Sequence, residues 1–239
     1  TLFPRRQVPP SLNIETADCG TSLGNAFTFN TYAFSGKTIH PIPISTTHTF
    51  DFPETKDFSQ ARKKFLWFGG GGLVHKGLDL VLEAFAGLPD LELHVCGPIK
   101  KESDFERFFR RELYETPNIH THGWLDMGSA EFKQLMNTCA YIIYPSCSEG
   151  GGGSVVSCMH AGLIPLVTPE TSISLESFGT LIEDISIKGL QRVIHAAATH
   201  ETANVARQSR AAWEFARLHH TRETFHRAFQ AFVRTTLGT

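Results

Sequence analysis

Apolar and polar residues follow two alternating periods along most of the chain, and each change of period marks a new element. Short apolar runs that stop at glycine or proline predict buried strands, as in Phe65–Phe68 and Leu91–Cys96. Apolar residues at helical spacing come after such runs, and the segment from Leu78 to Phe85 presents one apolar face. The chain is therefore predicted to alternate strands with helices from Arg62 onward.

The strands predicted in this way are Phe65–Phe68, Leu91–Cys96, Asn118–His122, Tyr141–Tyr144, Ile164–Thr168 and Leu181–Ile182. The predicted helices lie between them and in the tail, near 78–85, 103–113, 129–136, 154–162, 188–199, 202–218 and 222–236. Ser103 and Glu106 have the spacing of a capping box at the start of the second helix. Residues 1–50 show weak periodicity, and Lys37–Ser45 is predicted as an edge strand because it contains two prolines.

Short strands that alternate with helices predict βαβ units and a parallel sheet. Right-handed connections place helices on both faces of such a sheet. The sequence therefore predicts an α/β fold with a Rossmann-like parallel sheet and additional C-terminal helices. Ligands of these sheets bind at the carboxyl ends of the strands, so the loops that follow the strands are the candidate site.

Composition and charge narrow the class of protein. Of the 239 residues, 41% are hydrophobic and 19% are charged, which is a globular composition. The net charge of −2 gives no support to a nucleic-acid partner, which would require a basic surface. No apolar run is long enough to span a membrane, and Thr1–Pro10 does not have the pattern of a secretion signal. The five cysteines lack a Cys-x-x-Cys pair, which favours reduced thiols in a cytoplasmic protein.

The first strand is followed by a glycine-rich loop that runs from Gly69 to Gly77. Glycine allows a backbone to approach a ligand closely, and backbone N–H groups at a helix start attract phosphate. Lys76 adds a positive charge there, whereas His75 breaks the Walker A pattern and the spacing does not fit a dinucleotide fingerprint. The alternative is an ordinary flexible turn that carries a surface lysine.

A second glycine-rich loop follows the fourth strand, where Pro145–Glu149 precedes four successive glycines and Ser154. Four glycines carry an entropic cost that a ligand contacting the backbone would explain. The carboxylate of Glu149 would repel phosphate, so it is better suited to accept hydrogen bonds from sugar hydroxyls. The alternative is a glutamate placed favourably near a helix N-terminus.

Other chemistries have little support in the sequence. The 12 histidines are scattered, with His120 and His122 on one strand face, and no cluster has metal-ligand spacing, so no metal cofactor is expected.

The two loops together resemble the C-terminal domain of group 1 glycosyltransferases of the GT-B fold. The resemblance is carried by FLWFGGGGLVHKGLDLVLEAF (65–85), by Cys96-Gly97-Pro98, and by PSCSEGGGGSVVSCMHAGLIPLVT (145–168). It implies that the chain binds a UDP- or GDP-sugar as donor and that a retaining transferase passes the sugar to a carbohydrate or lipid-linked sugar acceptor. It also implies a cytoplasmic location, with a peripheral position at the inner face of a membrane left open.

The resemblance assigns roles to individual positions. Lys76 would neutralise the donor diphosphate and Glu149 would bind hydroxyls of the donor sugar, which makes these two the catalytic candidates. The loop around Gly123 and Trp124 would lie near the base. The full set of implied donor-binding residues is Gly70, Gly71, Gly72, Lys76, Gly97, Trp124, Glu149, Gly150, Gly151, Gly152, Gly153, Ser154 and Ser157.

Two positions depart from the family pattern. The arginine that usually stands five residues before the lysine is Gly71 here, and the second glutamate, which serves the ribose, is Ser157. Serine can bond a ribose only at shorter reach, so one phosphate charge and one ribose contact of the family are missing. This leaves open a non-catalytic nucleotide-sugar-binding module, or a protein-interaction module on the same fold.

Length is a third departure. A GT-B enzyme has an acceptor domain of its own, and residues 1–60 are too few to form one. We expect 1–60 to be the remnant of that N-terminal acceptor domain with the interdomain linker, and 61–239 to be the donor domain. The rest of the acceptor domain is expected in a longer parent protein.

Overall fold

The structure is a computed structural model, and it describes residues 12–238. Two parallel sheets organise this part of the chain. The small sheet consists of β1 (Cys19–Ser22) and β2 (Thr38–Pro41), and the large sheet consists of β3 (Lys64–Phe68), β4 (Glu92–Cys96), β5 (Ile119–Gly123), β6 (Tyr141–Tyr144), β7 (Ile164–Val167) and β8 (Thr180–Leu181).

The helices are α1 (Leu12–Thr16), α2 (Ala26–Thr31), α3 (Phe58–Ala61), α4 (Leu78–Ala86), α5 (Ser103–Phe108), α6 (Arg110–Tyr114), α7 (Ala130–Thr138), α8 (Gly153–Met159), α9 (Ile187–Thr199), α10 (Thr202–His219) and α11 (Arg222–Leu237). Between residues 12 and 238, no helix is long and apolar enough to cross a membrane.

The large sheet has the strand order β5-β4-β3-β6-β7-β8, with every neighbouring pair parallel. This is the Rossmann order, in which the connections leave the two central strands in opposite directions. Here the central strands are β3 and β6, which pair through Phe65 with Tyr141 and Leu66 with Ile142. The predicted Rossmann-like parallel sheet is confirmed.

Helices cover both faces of the large sheet because successive side chains of a strand point to opposite sides. On one face, Phe65 of β3 contacts Phe85 of α4, with ring centroids 5.3 Å apart. On the other, Phe68 contacts Phe132 of α7 at 5.0 Å. Both central strands are buried almost throughout, as expected for a parallel sheet covered on two sides.

The N-terminal region has more regular structure than its weak periodicity predicts. β1, α2 and β2 form a compact βαβ unit with Cys19 aligned to Thr38, and only the β2 part of it was predicted. The unit buries few side chains, so its sequence contains little of the apolar periodicity from which strands and helices are predicted. The five cysteines are free thiols, and Cys96, Cys139 and Cys158 are buried.

The predicted capping box at Ser103 and Glu106 is wrong. Ser103 is already helical, the N-cap is Glu102, and no side chain caps this helix end. The single helix predicted near 103–113 is split at Phe109 into α5 and α6, and Phe108 is exposed. The carboxylate of Glu102 is directed instead toward the loop after β3, where it makes the contacts described below.

Candidate functional site

Both glycine-rich loops start at the centre of the sheet. The first, 69–77, follows β3, and the second, 145–153, follows β6. Because β3 and β6 are adjacent but connect in opposite directions, their loops flank a crevice at the carboxyl edge of the sheet. The sequence-predicted residues of these two loops are therefore brought together.

The two loops pack directly against each other. Gly77 has a φ of +69°, and a Cβ atom added there would lie 2.3 Å from the carbonyl oxygen of Pro145. Only glycine fits that backbone conformation and that space. The amide of Cys147 donates a hydrogen bond of 3.0 Å to the carbonyl oxygen of His75. The relative position of the loops is thus fixed by backbone contacts.

Lys76 and Glu149 meet at this junction. The Lys76 Nζ atom donates to Oε1 of Glu149, and the two side chains are only 16% and 18% exposed. Ion pairs shielded from water to this degree are stronger than surface pairs. The two candidates that the sequence singled out as catalytic therefore form one charge-neutral unit.

Two further hydroxyls converge on the same carboxylate oxygen. Tyr144 donates to Oε1 of Glu149 at 3.0 Å, and Ser146 lies 3.5 Å from the same atom. Tyr144 is buried, and burial together with the Glu149 charge raises the pKa of its phenol, so the hydroxyl keeps its proton. Neither residue was predicted, although Tyr144 ends the strand that leads into the loop.

Trp67 of β3 supports this arrangement from below. Its indole N–H donates to the carbonyl oxygen of Lys76 at 3.1 Å, and its ring stacks on Tyr144 with centroids 6.1 Å apart. Gly97, a predicted donor residue, leaves room for this ring, because a Cβ atom there would lie 2.9 Å from it and 2.8 Å from the Gly69 carbonyl oxygen.

The glycine run of the second loop leads into α8. Gly151 and Gly152 have φ values of +118° and +44°, and Gly152 is the N-cap of the helix that Gly153 and Ser154 begin. A Cβ atom on Gly70 or Gly150 would meet no described atom within 4 Å. These two predicted positions are therefore open to a ligand.

The N-terminal βαβ unit contacts the second loop from behind. A Cβ atom on Gly151 would lie 3.1 Å from the amide nitrogen of Gly24. Thr28 of α2 donates to Ser172 at 2.6 Å and lies 3.4 Å from the carbonyl oxygen of Glu149. Sequence reasoning missed this contact because its partners are more than 120 residues apart.

Ser157 lies on a buried face of α8. Its hydroxyl donates to the carbonyl oxygen of Gly153 at 2.9 Å and lies 3.0 Å from the hydroxyl of Thr46 in the segment after β2. The side chain is thus engaged by the protein. Its predicted contact with a ribose stays a prediction.

Glu102 occupies backbone donors of the first loop. Its Oε1 accepts from the amide of Gly72 at 2.5 Å, and both of its oxygens lie within 3.3 Å of the amide of Leu73. Consecutive N–H groups of this kind form an anion-binding concavity. A Cβ atom on Gly71 would lie 3.6 Å from Glu102, so a side chain at Gly71 is sterically allowed.

A cavity of about 510 Å³ opens beside the first loop, at the ends of β4 and β5. Trp124 forms one wall, is 58% exposed, and lies 6.1 Å from the ring of Phe68. Gly97 and the exposed pair Lys100 and Lys101 form part of the rest. The cavity combines an accessible aromatic face with positive charge.

Comparison with known proteins finds a family-model match and several solved structures of similar fold. The family model described as "Glycosyl transferases group 1" matches residues 52–183, more than half of the chain, including both glycine-rich loops. No curated protein matches the chain in sequence.

Several solved structures have a similar fold at low sequence identity. HepE of Anabaena, solved with UDP and glucose, is 15% identical with a TM-score of 0.71, over 95% of this chain and 65% of HepE. A Rickettsia africae glycosyltransferase is 13% identical with a TM-score of 0.75, over 98% and 69%. A mutant of S. aureus TarM, solved with UDP, fondaparinux and α-GlcNAc-glycerol, is 16% identical with a TM-score of 0.68, over 92% and 44%. The chain thus spans from under half to about two thirds of these proteins.

Proposed function

The chain belongs to the group 1 glycosyl transferases, and on this basis we propose that it is the donor-binding half of a retaining enzyme that uses a UDP- or GDP-sugar. The observation that carries the proposal is the Lys76–Glu149 pair at the junction of the two glycine-rich loops. A nucleotide-diphospho-sugar has its diphosphate next to its sugar. A site for it therefore requires a cation for the diphosphate beside a carboxylate for the sugar hydroxyls.

The leaving group of the transfer is a nucleoside diphosphate, whose charge must be stabilised as it departs. Lys76 supplies a positive charge, and the backbone N–H groups of Gly151–Ser154 at the start of α8 supply fixed dipoles. Gly70, Gly71 and Gly72 allow close approach of the donor. Glu149 accepts hydrogen bonds from the sugar and so fixes the anomeric carbon relative to the departing phosphate.

The cavity beside Trp124 is the proposed position of the nucleoside. An exposed indole is suited to stack on a base, and Lys100 and Lys101 add positive charge near the phosphate end. Ser157 stays a candidate for a ribose contact, which would require its hydroxyl to exchange the contact with Thr46 for one with the ribose. UDP-bound HepE and TarM are consistent with a uridine nucleotide, and GDP is the alternative that the test below includes.

The acceptor side is proposed to come from further polypeptide. Residues 12–60 contribute only the small βαβ unit and the linker, and the chain spans about 65% of HepE. A carbohydrate or lipid-linked sugar is the proposed acceptor, and a cytoplasmic location, at or near the inner face of a membrane, fits such a substrate.

A second candidate is a non-catalytic nucleotide-sugar-binding or protein-interaction module. It is favoured by Gly71 and Ser157, which replace a phosphate contact and a ribose contact of the family. Glu102 adds to this argument, since its carboxylate occupies the amides of Gly72 and Leu73.

A thermal-shift panel with UDP, GDP, ADP and their glucose, mannose and N-acetylglucosamine conjugates tests the proposal. A dissociation constant of about 0.1 mM gives roughly 1.4 kcal/mol of stabilisation at about 1 mM ligand. For a chain of this length that is a rise of about 3–6 °C in the melting temperature. A selective rise with one nucleotide supports donor binding and identifies the base. No rise with any ligand favours the protein-interaction module.

A further inference from the structure

All hydrogen bonds to the Glu149 carboxylate in the described part of the chain end on one oxygen. Lys76, Tyr144 and Ser146 all approach Oε1. A carboxylate can accept about four hydrogen bonds through its two oxygens. The three donors therefore fix the orientation of the group and leave Oε2 for an incoming hydroxyl.

Tyr144 is held firmly by its surroundings. Its side chain is 2% exposed and stacks on Trp67, and the Lys76 ammonium lies 5.9 Å from its ring centroid. Ser146 is farther from Glu149 and also lies 3.2 Å from the carbonyl oxygen of His75. Lys76 is required by the donor phosphate in the proposed function. Tyr144 is thus the donor that stays committed to Glu149 when a ligand binds.

We propose that Tyr144 is a positioning residue that holds the Glu149 carboxylate for the hydroxyls of the donor sugar. This inference rests on the proposed function. Tyr144 touches neither phosphate nor base in this scheme, so its loss affects only the part of the binding energy that comes from the sugar.

Tyr141 provides a matched control on the same strand. It is 1% exposed, its ring stacks on Phe65, and its hydroxyl donates to the carbonyl oxygen of Ala197 at 2.7 Å. Tyr141→Phe and Tyr144→Phe each remove one buried phenolic hydrogen bond from β6. Only Tyr144→Phe removes a bond to Glu149.

Titration calorimetry tests the proposal on wild type, Tyr144→Phe, Tyr141→Phe and Glu149→Gln. Each protein is titrated with two pairs of ligands, UDP with UDP-glucose and GDP with GDP-mannose. The measured quantity is the ratio of the two affinities within a pair. We expect Tyr144→Phe to reduce the preference for the sugar conjugate about three- to tenfold, with the affinity for the bare diphosphate little changed. Tyr141→Phe should leave both affinities at the wild-type level.

The outcomes distinguish failure of the proposed function from failure of the role proposed for Tyr144. If wild type binds neither pair, the proposed function fails and the role of Tyr144 fails with it. If wild type prefers the sugar conjugate and Tyr144→Phe keeps the full preference, the role of Tyr144 alone is overturned. The same holds if the preference falls equally in Tyr141→Phe, because the effect would then be structural.

A double variant distinguishes the loss of positioning from a general effect of Tyr144→Phe on the fold. In a Glu149→Gln background the tyrosine has no carboxylate to position. Adding Tyr144→Phe to Glu149→Gln should therefore cause no further loss of preference for the sugar conjugate. A further loss of the size seen in the single variant would overturn the proposal.

Discussion

The ammonium of Lys76 and the carboxylate of Glu149 neutralise each other at the point where the two glycine-rich loops touch. Each loop follows one of the two central strands, so the pair lies at the switch point of the sheet. In the proposed function, this ion pair would give a nucleotide-diphospho-sugar a cation for its phosphates and a carboxylate for its hydroxyls.

Lys76→Met should weaken the binding of a nucleoside diphosphate. The loss expected is about 1–3 kcal/mol, the range for a hydrogen bond to a charged group. Part of the loss comes from Glu149, which is left unpaired beside the phosphates, so Lys76→Met combined with Glu149→Gln should recover some affinity. Calorimetric titration with UDP and GDP measures both effects. Lys133→Met, at an exposed position of α7, is the control. Equal affinities of wild type and Lys76→Met would remove Lys76 from the site.

Gly77→Ala should destabilise the fold, whereas Gly71→Ala should not. A side chain at Gly77 combines a positive φ, which costs about 1–3 kcal/mol, with a clash against Pro145. Gly71 belongs to the same loop, has no positive φ, and has its nearest neighbour at 3.6 Å. Urea unfolding of the two variants checks this contrast. Equal stabilities would show that the two loops are not held together as described.

Glu102→Gln should increase the affinity for a nucleoside diphosphate. The amide oxygen can still accept from Gly72 and Leu73, while a negative charge beside the proposed phosphate position is removed. We expect a gain of about two- to fivefold, equivalent to roughly 0.4–1 kcal/mol. Glu131→Gln on α7 is the matched control. A loss of affinity in Glu102→Gln would mean that the charge serves the site by shaping the loop.

The free energy of unfolding should fall in mild acid because of a histidine cluster on β4 and β5. The Nδ1 atom of His94 lies 3.0 Å from the Nε2 atom of His122. Burial lowers the pKa of His94 from 6.5 to about 4, and the charges of His122 and then His120 add to this effect. Glu92, whose carboxylate lies 3.7 Å from His94, opposes this shift, and nearby Lys64 adds to it. The folded state therefore binds fewer protons than the unfolded state between pH 6.5 and 4.

His94 stabilises the fold fully above its unfolded pKa, and this stability is lost as the pH falls toward the folded pKa. For His94 alone the loss is about 2 kcal/mol between about pH 7.5 and about pH 5. Burial also lowers the pKa of His160 and His220, which changes stability in the same direction. Urea unfolding at the two pH values should show a smaller pH dependence in His94→Gln than in wild type. An unchanged dependence would contradict the role of His94.

The sequence predicted the large sheet well because its strands carry strong local signals. FLWF and YIIY are short apolar runs that end at glycine or proline, and β3 and β6 match them within one residue. The helix at Leu78–Ala86 was likewise recovered from its apolar face. The β1–α2 pair was missed because a unit that buries few side chains produces little periodicity.

The sequence predicted only those residues of the candidate site that stand in local motifs. Lys76 and Glu149 stand in glycine-rich loops, so composition pointed to them. Glu102 and Tyr144 make contacts that no sequence motif marks. Glu102 contacts Gly72, which lies 30 residues earlier in the chain. The sequence pattern predicted Ser103 as the helix cap, whereas the structure has Glu102 in the N-cap position.

In the proposed function the two glycine-rich loops form one binding site for a nucleotide-sugar. Hydrogen–deuterium exchange with and without UDP-glucose, and with and without GDP-mannose, tests this, because exchange reports on each segment separately. We expect one of the two ligands to slow exchange in 69–77 and in 145–154 together, while exchange in α10 is unchanged. Exchange that stays the same in both loops with either ligand, or protection confined to a segment outside them, would contradict it.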